Sequence, residues 1–226
     1  MSRPVHDIGH HPAEDILWDY YRGALKPGLG LVVRSHLEVC PHCRGDIALF
    51  DAIGSTLFDA VEGVAMGDNA LDLALARIER PETPSAAPIK AVRKTPAFLD
   101  GIALPEALKE SRIRGRYWVA PGVWLARVEP PSAGRDARFT YLLRVPPGMA
   151  MPQHTHRGRE TTFVLKGSFK DGKHRYEVGD FVVCDDQDCH SPETEAHEDC
   201  ICLIAHDAPI APTTWLGKVL QPFARI

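Results

Sequence analysis

A proline-rich segment divides this chain into two halves, and it limits the possible folds more than any other feature. Residues 81–96 read PETPSAAPIKAVRKTP, with four prolines, no glycine and few apolar side chains. Proline interrupts helices and central strands, and it biases the preceding residue towards extended backbone. A long surface loop within one domain is the alternative, but loops of this length are uncommon. We therefore predict a linker over residues 81–97 that joins domains of residues 1–80 and 98–226.

The half before the linker has the residue spacing of amphipathic helices. A first helix is predicted to begin at Pro12, a second to reach Cys40 and a third to begin at Pro41, because proline is favoured at the first helical position. Asp68 or Asn69 suits the N-cap of a fourth helix. Apolar residues recur three and four positions apart through these segments. This half is therefore predicted to be an all-α helical bundle.

The half after the linker carries short apolar stretches between Gly, Pro and Asp turns. Such stretches, spaced roughly 8–12 residues apart, are typical of an antiparallel sandwich or barrel. They cover Tyr117–Ala120, Val123–Val128, Phe139–Val145, Thr161–Lys166, Arg175–Val178, Phe181–Cys184 and Cys200–Ala205. The predicted fold class is α+β, with an all-α first domain and an all-β second domain.

Composition and charge exclude several classes of protein. With 44% hydrophobic and 25% charged residues, the chain of 226 residues has the composition of a soluble globular protein. No apolar run approaches the ~18 residues that span a bilayer, and the N-terminus lacks a secretory signal, so we expect no membrane association and a cytoplasmic location. Residues 1–80 hold 12 acidic and 7 basic side chains. An acidic helical half favours a protein partner over direct binding of nucleic acid.

A spacing typical of metal ligands, H-x3-C-x2-C, occurs where the second predicted helix ends. It comprises His36, Cys40 and Cys43. Residues four apart share one face of a helix, and Pro41 then turns the chain so that both sulfur atoms converge. Imidazole and thiolate in a tetrahedral arrangement are the ligands of structural zinc. A buried thiol pair and a redox-active CxxC pair are the alternatives. The upstream candidates for a fourth ligand, among which spacing does not choose, are His6, His10 and His11.

A second spacing typical of metal ligands lies in the β half. Its residues are His154, His156, Glu160 and His190. The histidines of the H-x-H pair lie one strand period apart and therefore face the same side. Glu160, after a turn, and His190, from an opposing strand, can reach the same point. Imidazoles with a carboxylate suit zinc or another divalent metal that keeps open coordination positions. The alternative is a set of unrelated polar residues on a β surface.

Both motifs resemble those of known families. His11 followed by H-x3-C-x2-C in a short helical domain resembles the zinc-binding anti-sigma domain, and this resemblance selects His11 as the fourth zinc ligand. The pattern G-x5-H-x-H-x3-E-x6-G over residues 148–167 resembles the first cupin motif at each marked position. Gly179 and His190 match the second cupin motif. The positions that depart from that second motif are Asp185, Gln187 and Thr194.

An anti-sigma zinc domain followed by a cupin domain resembles the ChrR family of anti-sigma factors, and the resemblance covers nearly the whole chain. It implies that the helical domain, fixed by zinc, binds an extracytoplasmic-function sigma factor and keeps it from RNA polymerase. It also implies that the cupin domain, a β-barrel with its own metal, releases the sigma factor on an oxidative-stress signal. That signal is of the singlet-oxygen kind in the best-known members. No catalytic residue is implied.

Two other functions fit parts of the sequence. A metal-dependent cupin enzyme of dioxygenase or isomerase type is the main alternative, because open metal sites bind oxygen or act as Lewis acids. The attached zinc-binding helical domain favours the regulator over this enzyme. A DNA-binding transcription factor is disfavoured because no basic recognition helix is present.

The remaining cysteines are divided between two expectations. Cys184, Cys200 and Cys202 are expected to be small core residues, since free cysteine is commonly buried. Cys189 directly precedes His190 and is a candidate oxidant-sensing thiol or alternate ligand.

Overall fold

A computed structural model of the chain describes residues 8–79, 94–131, 139–156, 158–207 and 210–212; for residues 156 and 210–212 it describes the backbone alone. Most of the predicted linker, residues 81–97, lies outside these ranges. Within them, the second half begins with a single 3-10 turn at Ala97–Leu99. The predicted domain bounds stay predictions.

The first half is helical, as predicted. The helices are α1 (Glu14–Tyr21), α2 (Pro27–Val39), α3 (Pro41–Asp59) and α4 (Ala70–Glu79), and a short α5 (Glu106–Glu110) follows in the second half. Pro41 forces Cys40 into an extended conformation, with φ −100° and ψ 106°, so that α2 ends and α3 begins at one junction. The first helix begins at Glu14, two residues after the predicted start at Pro12. In the described part of the chain no helix combines the length and apolar character needed to cross a membrane.

The second half is built from antiparallel strands, also as predicted. The strands are β1 (Arg112–Ile113), β2 (Tyr117–Ala120), β3 (Val123–Glu129), β4 (Thr140–Val145), β5 (His154–His156), β6 (Glu160–Lys166), β7 (Phe169–Asp171), β8 (His174–Tyr176), β9 (Phe181–Cys184), β10 (Cys189–His190), β11 (Glu193–Thr194), β12 (Cys200–His206) and β13 (Ile210–Pro212). The largest sheet has the order β1-β3-β4-β12-β6-β9, with β2 paired to β3. Two smaller sheets have the orders β10-β5-β13 and β11-β7-β8. The strand predicted at Arg175–Val178 is observed as the shorter β8, which begins one residue earlier. Several strands of two or three residues were not predicted, because they show no apolar pattern.

The central strand β12 separates two hydrophobic clusters. Ile201, Leu203 and Ala205 belong to a cluster shared with the helices, whereas Cys200, Cys202 and Ile204 belong to a cluster on the opposite face. Successive side chains of a strand point to opposite faces, so this alternation follows from the backbone. The sheet is therefore buried on both faces, and helices pack against one of them.

Helix α2 packs directly on the large sheet. Its buried residues Val32 and Val33 share a core with Phe163, Phe181 and Leu203. A Cβ atom at Gly28 would lie 2.2 Å from Thr140 Oγ1, so only glycine permits this approach of helix to strand. The helical half thus has no separate core of its own on this side, and its most buried helix is held against the β half.

Candidate functional site

The helical half brings four potential metal ligands together at the α2–α3 junction. The ligand atoms of His11, His36, Cys40 and Cys43 all lie within 4.8 Å of one another. His36 Nε2 is 3.3 Å from Cys43 Sγ, and His11 Nδ1 lies 3.3 Å from Cys40 Sγ and 3.5 Å from Cys43 Sγ. Sulfur and nitrogen ligands of one tetrahedral zinc ion lie about 3.5 Å apart, given Zn–S and Zn–N bonds of about 2.3 and 2.0 Å. The arrangement therefore fits zinc.

Local structure accounts for three of these positions. His36 lies in the last turn of α2, and Cys40 caps both helices. The backbone N–H of Cys43 donates to Cys40 Sγ over 3.5 Å, which places the two sulfur atoms on the same side of the α3 N-terminus. A helix N-terminus stabilises negative charge, so the junction favours thiolates.

Burial decides the charge of these groups in the absence of a cation. It lowers the pKa of His36 to about 4, so the ring is neutral and can present a nitrogen lone pair. Burial, together with Cys40, raises the pKa of Cys43 to about 12, because an ionised thiolate is poorly solvated there. A bound cation reverses this preference and stabilises the thiolate. The site is therefore suited to a metal that supplies the missing positive charge.

The other histidines near the junction take different partners. His10 Nδ1 lies 3.2 Å from Asp180 Oδ2, and its ring packs on Tyr176. His42 is exposed and its Nε2 lies 3.8 Å from a carboxylate oxygen of Asp46, while its ring lies against that of His11, with centroids 4.8 Å apart. His6 lies outside the described residues. The structure thus brings His11 rather than His10 to the cluster, and the zinc ligands stay a prediction that this geometry supports.

The β half encloses a cavity of about 150 Å³ on the sheet face opposite the helices. Side chains from several strands line it, among them His154, Glu160, Asp171, Cys184 and His190. His154 Nε2 and His190 Nε2 face each other at 3.2 Å. The sequence placed both histidines in one metal site, and the structure brings them together.

Hydrogen bonds fix the orientation of both imidazoles. His154 Nδ1 lies 2.9 Å from the carbonyl oxygen of Pro152, and a carbonyl only accepts, so this nitrogen donates. His190 Nδ1 lies 2.5 Å from Asp171 Oδ2 and donates to that carboxylate. In the neutral rings each Nε2 then carries a lone pair directed at the other. A carboxylate–histidine pair of this kind is a common support for a metal ligand.

Glu160 stands on the wall of the same cavity and is bonded to other groups. Its Oε2 lies 3.1 Å from His206 Nε2, and its Oε1 accepts a hydrogen bond from Thr162 at 3.3 Å. His206 Nε2 also lies 2.6 Å from the hydroxyl of Tyr141. Burial raises the pKa of Glu160 to about 7. The backbone of His156 pairs with β13, and its side chain lies outside the described part of the chain.

Two residues near this site were not predicted as site residues. The ligand atoms of Asp171, Cys184 and His190 lie within 4.8 Å of one another. Asp171 precedes Gly172 in a hairpin turn, so its only sequence signal was that of a turn residue. Cys184 was expected in the core; it is buried, and burial raises its pKa well above the ordinary range. The neighbouring Cys200 and Cys202 are buried core residues as expected, whereas Cys189 is exposed.

Helices α3 and α4 expose apolar faces. The residues of these faces are Leu49, Ile53, Leu57 and Phe58 on α3, and Leu71, Leu75 and Ile78 on α4. Leu49, Ile53 and Leu57 recur every four positions and Leu71, Leu75 and Ile78 every three or four, so each set lies on one side of its helix; Phe58 adjoins Leu57. Phe58 is 77% exposed and Ile78 is 80% exposed. Large exposed apolar faces of this kind mark interaction sites.

Comparison with known proteins connects these features. Residues 117–209 match the model of the ChrR cupin-like domain, and residues 12–44 match that of a putative zinc-finger family. The anti-sigma-E factor ChrR of Cereibacter sphaeroides is 34% identical over 219 residues, which cover 97% of this chain and 99% of the relative. In the crystal structure of Rhodobacter sphaeroides SigE in complex with the anti-sigma ChrR, one chain aligns with 32% identity and a TM-score of 0.65. That alignment covers 88% of this chain and 99% of the matched chain.

Proposed function

This chain belongs to the ChrR family of anti-sigma factors, and we propose that it binds an extracytoplasmic-function sigma factor through its helical half. The single observation that carries the proposal is the pair of apolar faces on α3 and α4. Helix α3 buries only Cys43, and α4 has no buried residue. Helices of this amphipathic kind gain most of their stability from packing against another surface.

Charge supports a protein partner for these faces. Residues 1–80 carry more acidic than basic side chains, and acidic residues such as Asp46, Asp51 and Asp59 lie along α3 itself. A sigma factor binds nucleic acid and therefore presents basic surface, which an acidic helix complements. Apolar faces with acidic neighbours would supply both affinity and orientation. Such a complex forms where RNA polymerase acts, so the proposal places the protein in the cytoplasm.

Zinc has a structural role in this proposal. His11, His36, Cys40 and Cys43 would hold the ion, which supplies positive charge and fixed tetrahedral geometry. The ion would tie the segment before α1 to the α2–α3 junction. The start of α3, and therefore the direction of its apolar face, would depend on that tie.

The β half would sense the signal that releases the sigma factor. We propose that its cavity holds zinc or another divalent metal through His154, His156, Glu160 and His190. The facing His154 and His190 rings and the buried Glu160 carboxylate support this assignment. A change at the cavity during oxidative stress would then favour the protein without bound sigma factor. For this, the change must alter the difference in stability between the bound and the unbound state. The cavity would sense rather than catalyse.

A substitution on α3 tests the proposed docking face. Ile53→Asp and Leu57→Asp should each weaken binding of the cognate sigma factor by about 30-fold or more, since an interface hot spot contributes about 2 kcal/mol. Both residues are exposed in the free protein, so the free energy of unfolding should change little. Binding would be measured by calorimetry between the full chain and each purified extracytoplasmic-function sigma factor of the host, with inhibition of in vitro transcription as the functional readout.

Trp118→Asp is the matched control, because Trp118 is a large apolar residue that is 59% exposed in the β half. It should leave sigma binding unchanged. Failure of the wild-type chain to bind or inhibit any of these sigma factors would contradict the proposed function. Equal loss of binding in Trp118→Asp and Leu57→Asp would contradict the proposed face.

A further inference from the structure

The turn that precedes β9 in the β half contacts the zinc cluster of the helical half. The carbonyl oxygen of Gly179 lies 2.9 Å from His36 Nδ1, and this contact is buried. Because a carbonyl only accepts, His36 Nδ1 donates, and His36 Nε2 is the nitrogen left to face Cys43 Sγ. The β half therefore sets which nitrogen of His36 is presented to a metal.

Asp180, the next residue of the turn, holds the segment that leads into His11, the other histidine of the cluster. Its Oδ1 accepts from the backbone N–H groups of Gly9 and His10 at 3.0 and 3.1 Å, and its Oδ2 lies 3.2 Å from His10 Nδ1. Asp180 is only 4% exposed. The Phe181 N–H also donates to the carbonyl oxygen of His10 over 3.0 Å. The chain is thereby held at the residue immediately before His11.

The two cysteines and the two histidines of the cluster are positioned by different parts of the chain. Cys40 and Cys43 are placed by the junction of α2 and α3 alone. His11 and His36 depend in addition on the 177–181 turn of the β half. The N-terminal segment also constrains the backbone of this turn. Gly179 has φ +98°, and a Cβ atom at this position would lie 3.1 Å from Ile8 Cγ1. The positive φ and this close approach both favour glycine at position 179.

We infer that the 177–181 turn is an outer coordination shell of the zinc site, so that zinc binding and docking of the β half on the helices stabilise each other. Groups that hydrogen-bond to metal ligands fix their orientation and contribute to metal affinity. Coupling of this kind is reciprocal: whatever docking adds to zinc affinity, zinc adds to docking. The inference rests on the zinc ligands of the proposed function, and it does not depend on sigma binding.

The same strand also reaches the cavity. Phe181 belongs to the core shared with the helices and contacts His36 edge-on, with ring centroids 5.7 Å apart. Val182 and Cys184 line the cavity on the other face of the sheet. Cys184 is three residues beyond Phe181, which is roughly 10 Å along a strand. Strand β9 therefore has Phe181 against the zinc cluster and Val182 and Cys184 on the cavity.

Asp180→Asn in the full chain tests the inference. The substitution keeps the side-chain size but leaves one acceptor oxygen. That oxygen cannot serve both the Gly9 and His10 N–H groups, which Oδ1 accepts, and the Glu177 N–H, which Oδ2 accepts. Zinc affinity of the helical site, measured by competition with a chromogenic chelator, should fall about 10-fold or more. The matched control is Asp199→Asn, since Asp199 pairs with Arg144 within the β half and does not contact the cluster. Zinc affinity equal to that of the wild type in Asp180→Asn would overturn the inference.

A measurement on the wild type decides the question if Asp180→Asn does not fold. Removing zinc with a chelator should accelerate hydrogen exchange at the Phe181 amide, which donates across the boundary. It should not accelerate exchange at the Arg114 amide, which donates to the carbonyl oxygen of Arg127 within the β half. Unchanged exchange at Phe181, or equal acceleration at both amides, would overturn the inference. Sigma binding by the zinc-loaded wild type is scored separately, so its loss would count against the proposed function alone.

Discussion

The two candidate metal centres differ in how the chain assembles them. The helical cluster draws its four side chains from residues 11–43, and three of them stand at one helix junction. The cavity draws its side chains from β5, β6, β7, β9 and β10, which lie in three different sheets. Three side chains of the first centre therefore need one correct turn of the chain, and only His11 comes from another segment. The second centre exists only when the sheets have paired in register.

The two centres also differ in the space left beside their candidate ligands. The helical cluster has four ligand atoms within 4.8 Å of one another, the number that a tetrahedral zinc ion takes. The β half keeps a cavity of about 150 Å³ beside its two facing imidazoles. A closed set of ligands suits a structural ion, while an open cavity can admit a small molecule. This difference leads to three predictions about how metals bind to the two centres.

The largest expected effect is the loss of one metal with retention of the other. Cys43→Ser should abolish zinc binding at the helical site, because it removes a buried thiolate from a complete ligand set. The apparent binding free energy of structural zinc is about 10–16 kcal/mol, so the helical half should also lose stability. Metal analysis and thermal unfolding of the full chain would measure both effects. The control Cys189→Ser makes the same change at an exposed cysteine outside the cluster and should keep the helical zinc. Equal loss in both variants would contradict the ligand assignment.

An intermediate effect is expected at the cavity from a residue that is not in the predicted ligand set. Asp171→Asn should lower the affinity of the cavity for metal about 10- to 100-fold, because the carboxylate orients His190 through Nδ1. Titration of the protein with Co²⁺ or Zn²⁺ after the helical site is filled would measure this affinity. Asp186→Asn, at an exposed position of the turn after β9, serves as the control. Unaltered affinity in Asp171→Asn would show that His190 needs no orienting carboxylate.

The third contrast between the centres is the pH dependence of their metal affinity, which is expected to be small at the cavity. Burial holds the pKa of Cys43 at about 12 without metal, so zinc must displace the thiol proton at neutral pH. Affinity at the helical site should therefore rise about tenfold per pH unit for each thiol proton released. At the cavity, burial lowers the pKa of His154 and raises that of Glu160 to about 7. Above pH 7 neither group holds a proton that metal must displace.

Chelator competition from pH 7.5 to 9 would measure both slopes. The helical site should keep a slope of at least one proton per zinc, and the contribution of His154 and Glu160 to the cavity slope should be near zero. A helical site whose affinity does not change over this range would contradict the expected proton release.

Much of the fold could be predicted from local pattern. Proline at the first position of α2 and α3 and the recurrence of apolar residues gave the helices, since both act within a few residues of the chain. The longer strands were predicted for the same reason. Strands such as β5, β7 and β10 have two or three residues, too few to show an alternation, and they form only because neighbouring strands pair with them.

The sequence predicted the residues of the helical site more completely than those of the cavity. His36, Cys40 and Cys43 follow from helix geometry, and the structure brings His11 to them. The pairing of β5 with β10 sets His154 opposite His190, in agreement with the expectation that His190 comes from an opposing strand. The described contacts of Glu160 include His206 and Thr162, which no spacing indicated.

By itself the sequence determined the local chemistry of this protein: a helix junction that gathers thiols and imidazole, and strands that carry further histidines. Only the tertiary structure decided which groups support those ligands. Asp171 reaches His190 across 19 residues and Asp180 reaches His10 across 170. The physical reason is range, because helix periodicity and turn preferences act between near neighbours, whereas a hydrogen bond between distant segments exists only after sheet register and helix docking are set.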